Sequence, residues 1–295
     1  MKNKSAWLLN FSGNIYSQNG EDGIISKILD TLPERNKWCV EFGAWDGIHL
    51  SNTRVLIEKK DYHAVLIEGN KNKYKDLLKN SAHYPKIITI NKMVGTTGRN
   101  NLDSILANTE TPLNFDLLSI DIDGNDYHVW QSISKFTPKV VCIEFNPTIP
   151  SEVNFIQECN PNINHGSSIF ALNNLAKHKG YELVSILSCN AIFVKSEYFN
   201  LFDINDNSIY NLRQNVEHIS YLFTGYDGTL FLEGYPELLW HGIPLRKSRI
   251  QHLPRLLRKY PKNYTALEAL LVKFYHFATS PLKVTKTIIN RLFNK

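Results

Sequence analysis

The chain has 295 residues, of which 43% are hydrophobic, and carries a formal net charge of +5. That length and composition suit one sizeable α/β domain with appendages and exclude a fibrous, low-complexity or disulfide-stapled protein. The four cysteines, Cys39, Cys142, Cys159 and Cys189, follow neither a disulfide framework nor the paired short spacings of a zinc site, and they read as reduced thiols. No segment reads as a signal peptide and no run of about 18 apolar residues occurs, so the expected compartment is the cytosol. Charge is uneven: from Arg246 onward twelve Lys and Arg face the single acid Glu268, whereas residues 1–245 hold 21 bases and 27 acids. An acidic body with a basic tail argues against a broad nucleic-acid surface, and no recognised RNA module is present.

In chain order, a helix is predicted near Glu21 to Leu32, then a strand from Trp38 to Phe42, a helix near Leu50 to Lys59 and a strand from Ala64 to Ile67. A helix near Lys71 to Lys79, a strand from Lys86 to Asn91, a short helix from Leu102 to Ala107 and a strand from Phe115 to Asp121 continue the alternation. A helix from Asp126 to Ser132 and a strand from Val140 to Phe145 follow. Such alternation implies βαβ units around a parallel sheet, with central strands apolar on both faces. After a long loop, Ser167 and Ser168 offer an N-cap for a helix over Ile169 to His178, which Gly180 stops. Strands over Tyr181 to Leu187 and Ala191 to Val194 then form an antiparallel hairpin at the sheet edge. Residues 200–245 are rich in Asn, Asp, Gly and Tyr, with weak periodicity, and read as an irregular extension near the acceptor site; residues 246–295 form a basic helical tail. The expected division is thus 1–199, 200–245 and 246–295.

The most informative stretch is Val40-Glu41-Phe42-Gly43-Ala44-Trp45-Asp46-Gly47, an apolar strand that ends at an acid and runs into two glycines before a helix. Gly43 and Gly47 lack a Cβ that would collide with a ligand approaching the backbone. Asp46 inside the turn disfavours a pyrophosphate, so a cationic or zwitterionic cofactor fits better than NAD. The next strand ends at Glu68-Gly69, about 20 residues past the turn, where a carboxylate accepts hydrogen bonds from both hydroxyls of a ribose. Either acid alone reads equally well as a solvated strand end; the spaced pair points to a nucleoside cofactor.

The Glu41 to Gly47 turn, the Glu68 strand end, the run Ser119-Ile120-Asp121-Ile122-Asp123-Gly124-Asn125-Asp126-Tyr127 and the opening Tyr16-Ser17-Gln18-Asn19-Gly20-Glu21-Asp22-Gly23 together resemble the FkbM-type branch of class I methyltransferases, over roughly residues 15–195. The resemblance implies a Rossmann-like α/β fold with a seven-stranded, mostly parallel sheet and a C-terminal extension. It implies that Gly43 to Gly47, including Ala44 and Asp46, wraps the methionine part of S-adenosylmethionine and that Glu68 and Gly69 hold the ribose. It also implies that the segment with Ser17, Gln18, Gly20 and Asp22 closes over the cofactor, with Glu41 and Asp121 beside it. Met93 and Val94 flank the adenine in this scheme, although this chain lacks the acid that many relatives place there.

Asp121 and Asp123 lie two apart at a strand end, and Glu144-Phe145-Asn146 repeats that pattern one strand over. The four side chains of Asp121, Asp123, Glu144 and Asn146 suit a hard divalent ion, magnesium or manganese, and are similar to the metal sets of catechol and macrolide-sugar O-methyltransferases. The alternative is that Asp121 only contacts the cofactor and Asp123 caps the following helix. Methyl transfer to a hydroxyl needs the acceptor positioned and its proton removed. Candidates for that chemistry are His165, in the loop after the fifth strand, together with Asp123 and Asp126; His49 and His128 are less favoured.

The resemblance implies an S-adenosylmethionine-dependent O-methyltransferase acting on a saccharide or glycolipid acceptor in surface-polysaccharide or glycolipid synthesis. A small-molecule or protein methyltransferase, or a non-catalytic binding module on the same fold, stays open. Phe223-Thr224-Gly225-Tyr226-Asp227-Gly228 and the aromatic run to Trp240 read either as a carbohydrate platform or as core packing. The tail from Leu245, with apolar residues at helical spacing over Leu267 to Phe277, suggests peripheral contact with the inner face of the cell membrane, against packing on the enzyme body or a nucleic-acid contact.

Overall fold

A computed structural model describes residues 4–279, which fall into two compact units divided between Val216 and Glu217. In the first unit, α1 (Glu21–Thr31) leads into β1 (Trp38–Phe42), α2 (Arg54–Lys60), β2 (His63–Glu68), α3 (Lys71–Ser81) and β3 (Ile87–Asn91). There follow α4 (Leu102–Leu106), β4 (Leu117–Ile120), α5 (Asp126–Ser132), β5 (Val140–Glu144), α6 (Ile169–His178), β6 (Tyr181–Ile186), β7 (Asn190–Lys195) and α7 (Ile209–Leu212). One seven-stranded sheet runs in the order β3-β2-β1-β4-β5-β7-β6. The first five strands are parallel, and β7 alone runs antiparallel, to both β5 and β6. This is the Rossmann-like, mostly parallel sheet expected from the sequence.

The period of two in the strands sorts side chains to the two faces. Val40, Phe42, Val65, Leu118 and Val141 pack on one side with Trp130 of α5 and Leu172 of α6. Cys39, Ala64, Leu66, Leu117 and Cys142 pack on the other with Ile24 and Ile28 of α1. Each large aliphatic side chain removed from water in this way contributes roughly 1.5–3 kcal/mol, which holds the sheet between two helical layers. Ser168 caps α6 by accepting from the Ala171 amide at 3.1 Å, and Gly180, at φ +78°, ends the helical stretch.

Two local expectations shift. The helix predicted from Leu50 begins at Arg54, because Leu50 adopts φ +57° and the backbone and hydroxyls of Ser51–Thr53 are tied to Glu41. Strand β4 stops at Ile120, so Asp121 and Asp123 lie in the turn after it rather than inside the strand, and Asp123 takes φ +57°.

The chain runs outward from β1 through β2 to β3, then returns and runs the other way from β4 to β5, which opens a crevice at the carboxyl ends of β1 and β4. Residues 200–216 fold with this unit: Phe202 and Leu212 are buried and the Trp7 indole donates to the Phe202 carbonyl at 2.7 Å.

In the second unit, β8 (Ser220–Thr224) and β9 (Leu230–Gly234) form an antiparallel hairpin, followed by the short pair β10 (Glu237–Leu238) and β11 (Ile243–Pro244), then α8 (Lys247–Ile250) and α9 (Ala266–Thr279). The stretch expected to be irregular therefore contains a regular ladder. Its strands are apolar or aromatic at consecutive positions, so no alternation marked them. The expected helix over Leu267 to Phe277 is α9; the tail beyond Thr279 lies outside the described residues.

Candidate active site

The turn after β1 is built for close approach. Gly43 sits at φ +78°, and a Cβ there would lie 1.7 Å from the Asp121 carbonyl oxygen, so the turns after β1 and β4 meet across the crevice with no room for a side chain. Trp45 is held in the left-handed region at φ 47°, a conformation costly for a bulky residue. Its amide donates to Glu68 Oε2 at 2.9 Å, and the Asn70 amide donates to Glu68 Oε1 at 2.6 Å. Glu68 thus fastens the β1 turn to the end of β2, and each of its oxygens retains a lone pair for a further donor. Asp46 accepts from the amides of Ile48 and His49 and closes the turn; Ala44 is buried and Gly47, at φ +73°, faces Leu77 and Leu66. A Cβ on Gly69 would meet Met93 Sδ at 2.0 Å, which places the exposed Met93 directly over the end of β2, with Val94 half-buried behind it.

The N-terminal segment is tied into a knot beside this edge. Asp22 Oδ2 accepts from the amides of Ile15, Tyr16 and Ser17, the Ser17 hydroxyl accepts from the Asp22 amide, and Asn14 Oδ1 accepts from Gly20 and Ser17. Ser17, Gly20 and Asp22 are therefore buried in holding the segment's shape, while Gln18 is exposed. Asp22 Oδ1 and Asn190 Oδ1 are buried without a hydrogen-bond partner. Glu41 is likewise turned inward: it accepts from Ser51 and Thr53 hydroxyls, both at 2.7 Å, and from the Asn52 amide at 2.8 Å. Burial raises its pKa against those three donors, with Asp22 adding repulsion.

At the ends of β4 and β5, Asp121, Asp123 and Glu144 each offer a carboxylate oxygen, and these oxygens lie within 4.8 Å of one another. Burial, then repulsion from Asp126 and Asp123, raises the Asp121 pKa. Burial, then repulsion from Asp121, raises Glu144 well above its usual value. Among the described residues no Lys, Arg or His lies within ion-pairing distance of Glu21, Asp22, Glu41, Asp121, Asp123 or Glu144. Three clustered carboxylates with no cation of their own are the oxygen donor set that a hard divalent ion takes.

Two sequence candidates also have structural employment. Asn146 accepts from the Thr148 amide and hydroxyl with Oδ1 and donates to the His165 carbonyl at 2.7 Å, so its amide shapes the loop. Asp126, buried, accepts from the amides of Ile122 and Gly124 and closes the turn that carries Asp121 and Asp123. His165 is exposed in the loop that crosses this turn: Asn164 donates to the Asp123 carbonyl at 2.9 Å, and the His165 amide donates to Gln157 Oε1 at 3.0 Å. His128 hydrogen bonds to the Gln157 carbonyl at 2.7 Å, and His49 meets the Trp45 ring edge-on.

Sequence reasoning passed over three residues that matter here. Buried Gln157 binds Asn125, the Ile163 carbonyl and the amides of His165 and Gly166, and so positions the loop over the turn. Asn190, opposite Glu144 in the β5–β7 ladder, donates to Glu21 at 2.9 Å and keeps a buried oxygen without a hydrogen-bond partner. Trp45 stands exposed with the Lys73 ammonium 3.9 Å from its ring centroid. A bulky aromatic in a glycine-flanked turn was the one available signal for it; Gln157 and Asn190 have no local signature.

No protein-family model matches the chain, and no curated protein is similar to it. Among solved structures, M. capricolum TrmK in complex with S-adenosyl-homocysteine is similar at 13% identity and a TM-score of 0.35, over 58% of this chain and 65% of that one. The N-terminal domain of EvdMO1 with S-adenosyl-homocysteine bound is similar at 9% identity and a TM-score of 0.39, over 61% of this chain and 82% of that one. A SAM dependent methyltransferase from Aquifex aeolicus is similar at 9% and 0.36, over 58% and 88%. Likenesses this remote bear on neither ligand nor activity, and the chemistry of the site rests on its own residues: a glycine turn joined to the carboxylate that ends β2, beside a carboxylate cluster that no cation of the described residues reaches.

Proposed function

We propose that the chain is an S-adenosylmethionine-dependent O-methyltransferase of the FkbM type, acting in the cytosol on a saccharide hydroxyl in surface-polysaccharide or glycolipid synthesis. The observation that carries the cofactor is the Trp45–Glu68 bond, which ties the glycine turn of β1 to the carboxylate ending β2 at the sheet's switch point. A sulfonium cation suits a crevice rich in unpaired acids. The saccharide rests on the sequence resemblance alone.

When bound, S-adenosylmethionine supplies the methyl group and the leaving sulfur, so the protein's part is to align the acceptor oxygen in line and take its proton. Glu68 orients the nucleoside end, and the bare backbone of Gly43 lets the methionine end lie against the β1 turn. Asp121, Asp123 and Glu144 would hold magnesium or manganese, which would supply positive charge that lowers the pKa of an acceptor hydroxyl. Asp123, exposed at the lip of the crevice, or His165 in the loop above it, takes the proton.

Isothermal titration with S-adenosylmethionine tests the cofactor. We expect saturable binding that Glu68→Ala weakens about 100-fold, as loss of two hydrogen bonds to a charged group predicts. Absence of heat in the unaltered protein would overturn the reading. Methyl transfer from a labelled donor, assayed against sugars, catechols and peptides, tests the acceptor; turnover of peptides or catechols but not sugars removes the saccharide. Full turnover in excess chelator leaves the proton to Asp123 or His165 alone.

A further inference from the structure

The helix α9 is fastened to its unit by the wrong side for a soluble helix. Tyr275 donates to the His252 carbonyl at 2.5 Å, and Glu268 accepts from Lys259 at 2.5 Å and from the Thr265 amide at 2.9 Å. At 3.6 residues per turn, Glu268, Val272 and Tyr275 fall on one side of the helix. Leu267, Leu270, Leu271, Phe274 and Phe277 fall within an arc of about 120° on the other, and all five are exposed, Leu267 to 66% and Phe274 to 69%. The polar side is docked and the apolar side faces outward. Single exposed apolar residues are ordinary, but five in a row along one face are a contact surface.

The charge around that face identifies what it meets. Residues 246–279 hold eight Lys and Arg against Glu268 alone. Arg249, Arg255, Lys262 and Lys273 are exposed and, among the described residues, have no carboxylate partner. An apolar helix face with Lys273 at its edge, in a unit that carries these further exposed cations, is complementary to a surface that is apolar beneath a layer of negative charge. No helix of the described residues is long and apolar enough to cross a membrane, and the 14 residues of α9 extend only about 21 Å, short of a bilayer's apolar core.

We propose that α9 lies in the plane of an anionic lipid bilayer, with Leu267, Leu270, Leu271, Phe274 and Phe277 in the acyl boundary and the exposed Arg and Lys of this unit drawn to the headgroups. The inference is independent of methyl transfer. For an enzyme with a lipid-linked acceptor, such attachment brings the site to its substrate.

Sedimentation of the full chain with phosphatidylglycerol-containing vesicles, compared with pure phosphatidylcholine vesicles, tests it. Binding is expected to the anionic vesicles and at least tenfold weaker to the neutral ones. Leu270→Ser with Phe274→Ser should weaken it a further tenfold or more, as should Arg255→Glu with Lys262→Glu. Circular dichroism and titration with S-adenosylmethionine check that each variant still folds; a variant that does not is replaced by Leu271→Ser with Phe277→Ser. Equal binding to both vesicle types, no binding to either, or vesicle binding untouched by the apolar substitutions overturns the proposal. So does a concentration-dependent dimer, seen by light scattering without lipid, that Leu270→Ser with Phe274→Ser dissolves, because the face would then belong to a second copy.

Discussion

At the ends of β1 and β2, Glu41 and Glu68 together accept five hydrogen bonds from hydroxyls and backbone amides. At the ends of β4 and β5, a few ångströms across the same crevice, Asp121 and Glu144 have mainly each other, and burial with mutual repulsion raises both. The first pair are finished: their donors fix the loops that shape a ligand's bed. The second pair are unfinished, because none of the described residues supplies the positive charge that would make their closeness favourable. A carboxylate's role at a sheet edge is thus set less by its place in the motif than by whether the chain also provides its donors.

The sharpest way to break the comparison is to close the seam between its halves. Gly43→Ala forces a Cβ toward the Asp121 carbonyl and a left-handed φ on alanine, and should destabilise the protein by about 4 kcal/mol and abolish S-adenosylmethionine binding, read by thermal unfolding and calorimetry. Next, Glu41→Ala strands three donors in the core and should cost about 3 kcal/mol in urea unfolding; a loss below about 0.5 kcal/mol would mean the acid is not structural.

The satisfied half also has an acid-sensitive anchor. Burial alone would raise Glu58, but hydrogen bonds from Tyr16, Tyr84 and Arg54, with the Arg54 charge, outweigh it and hold the carboxyl at about 2. Because the folded pKa lies below the unfolded one, this group's stabilisation is complete above pH 4.5 and is lost as the pH falls toward about 2. Glu58→Gln should therefore remove about 2 kcal/mol at pH 7 and much less near pH 2, where a flat difference would contradict the assignment.

The smallest effect has the opposite sign. Glu144→Gln removes a buried acid from a repelling cluster and should stabilise the metal-free protein by about 1 kcal/mol. In the unaltered chain, millimolar magnesium should raise the melting temperature through binding to the folded state, and in this variant it should not. A Glu144→Gln protein less stable than the parent would place the β4–β5 carboxylates with the finished kind.

Much of the fold was written locally. Strand β1 and helices α5 and α6 begin and end where apolar period, capping serine and terminal glycine placed them, because such signals act over a few residues. Part of the site was legible for the same reason: Gly43, Gly47 and Glu68 are strand-end residues whose backbone need fixes their type. What a polar residue is tied to was less legible. The Asn146 amide serves the loop at Thr148 and His165, and Asp126 closes its own turn, contacts that residue type alone does not announce. Gln157 positions that loop through bonds spanning up to 32 residues, which no short motif announces.

The sequence alone determined the alternation of strands and helices, the glycine turn, the acids at the strand ends and the contrast between acidic body and basic tail, since each depends on residue type and short spacing. Only the tertiary structure decided which carboxylates are satisfied and which meet without a cation, and which side of α9 faces outward. Those outcomes depend on distances between chain segments that become neighbours only when the sheet closes and water is removed from between them.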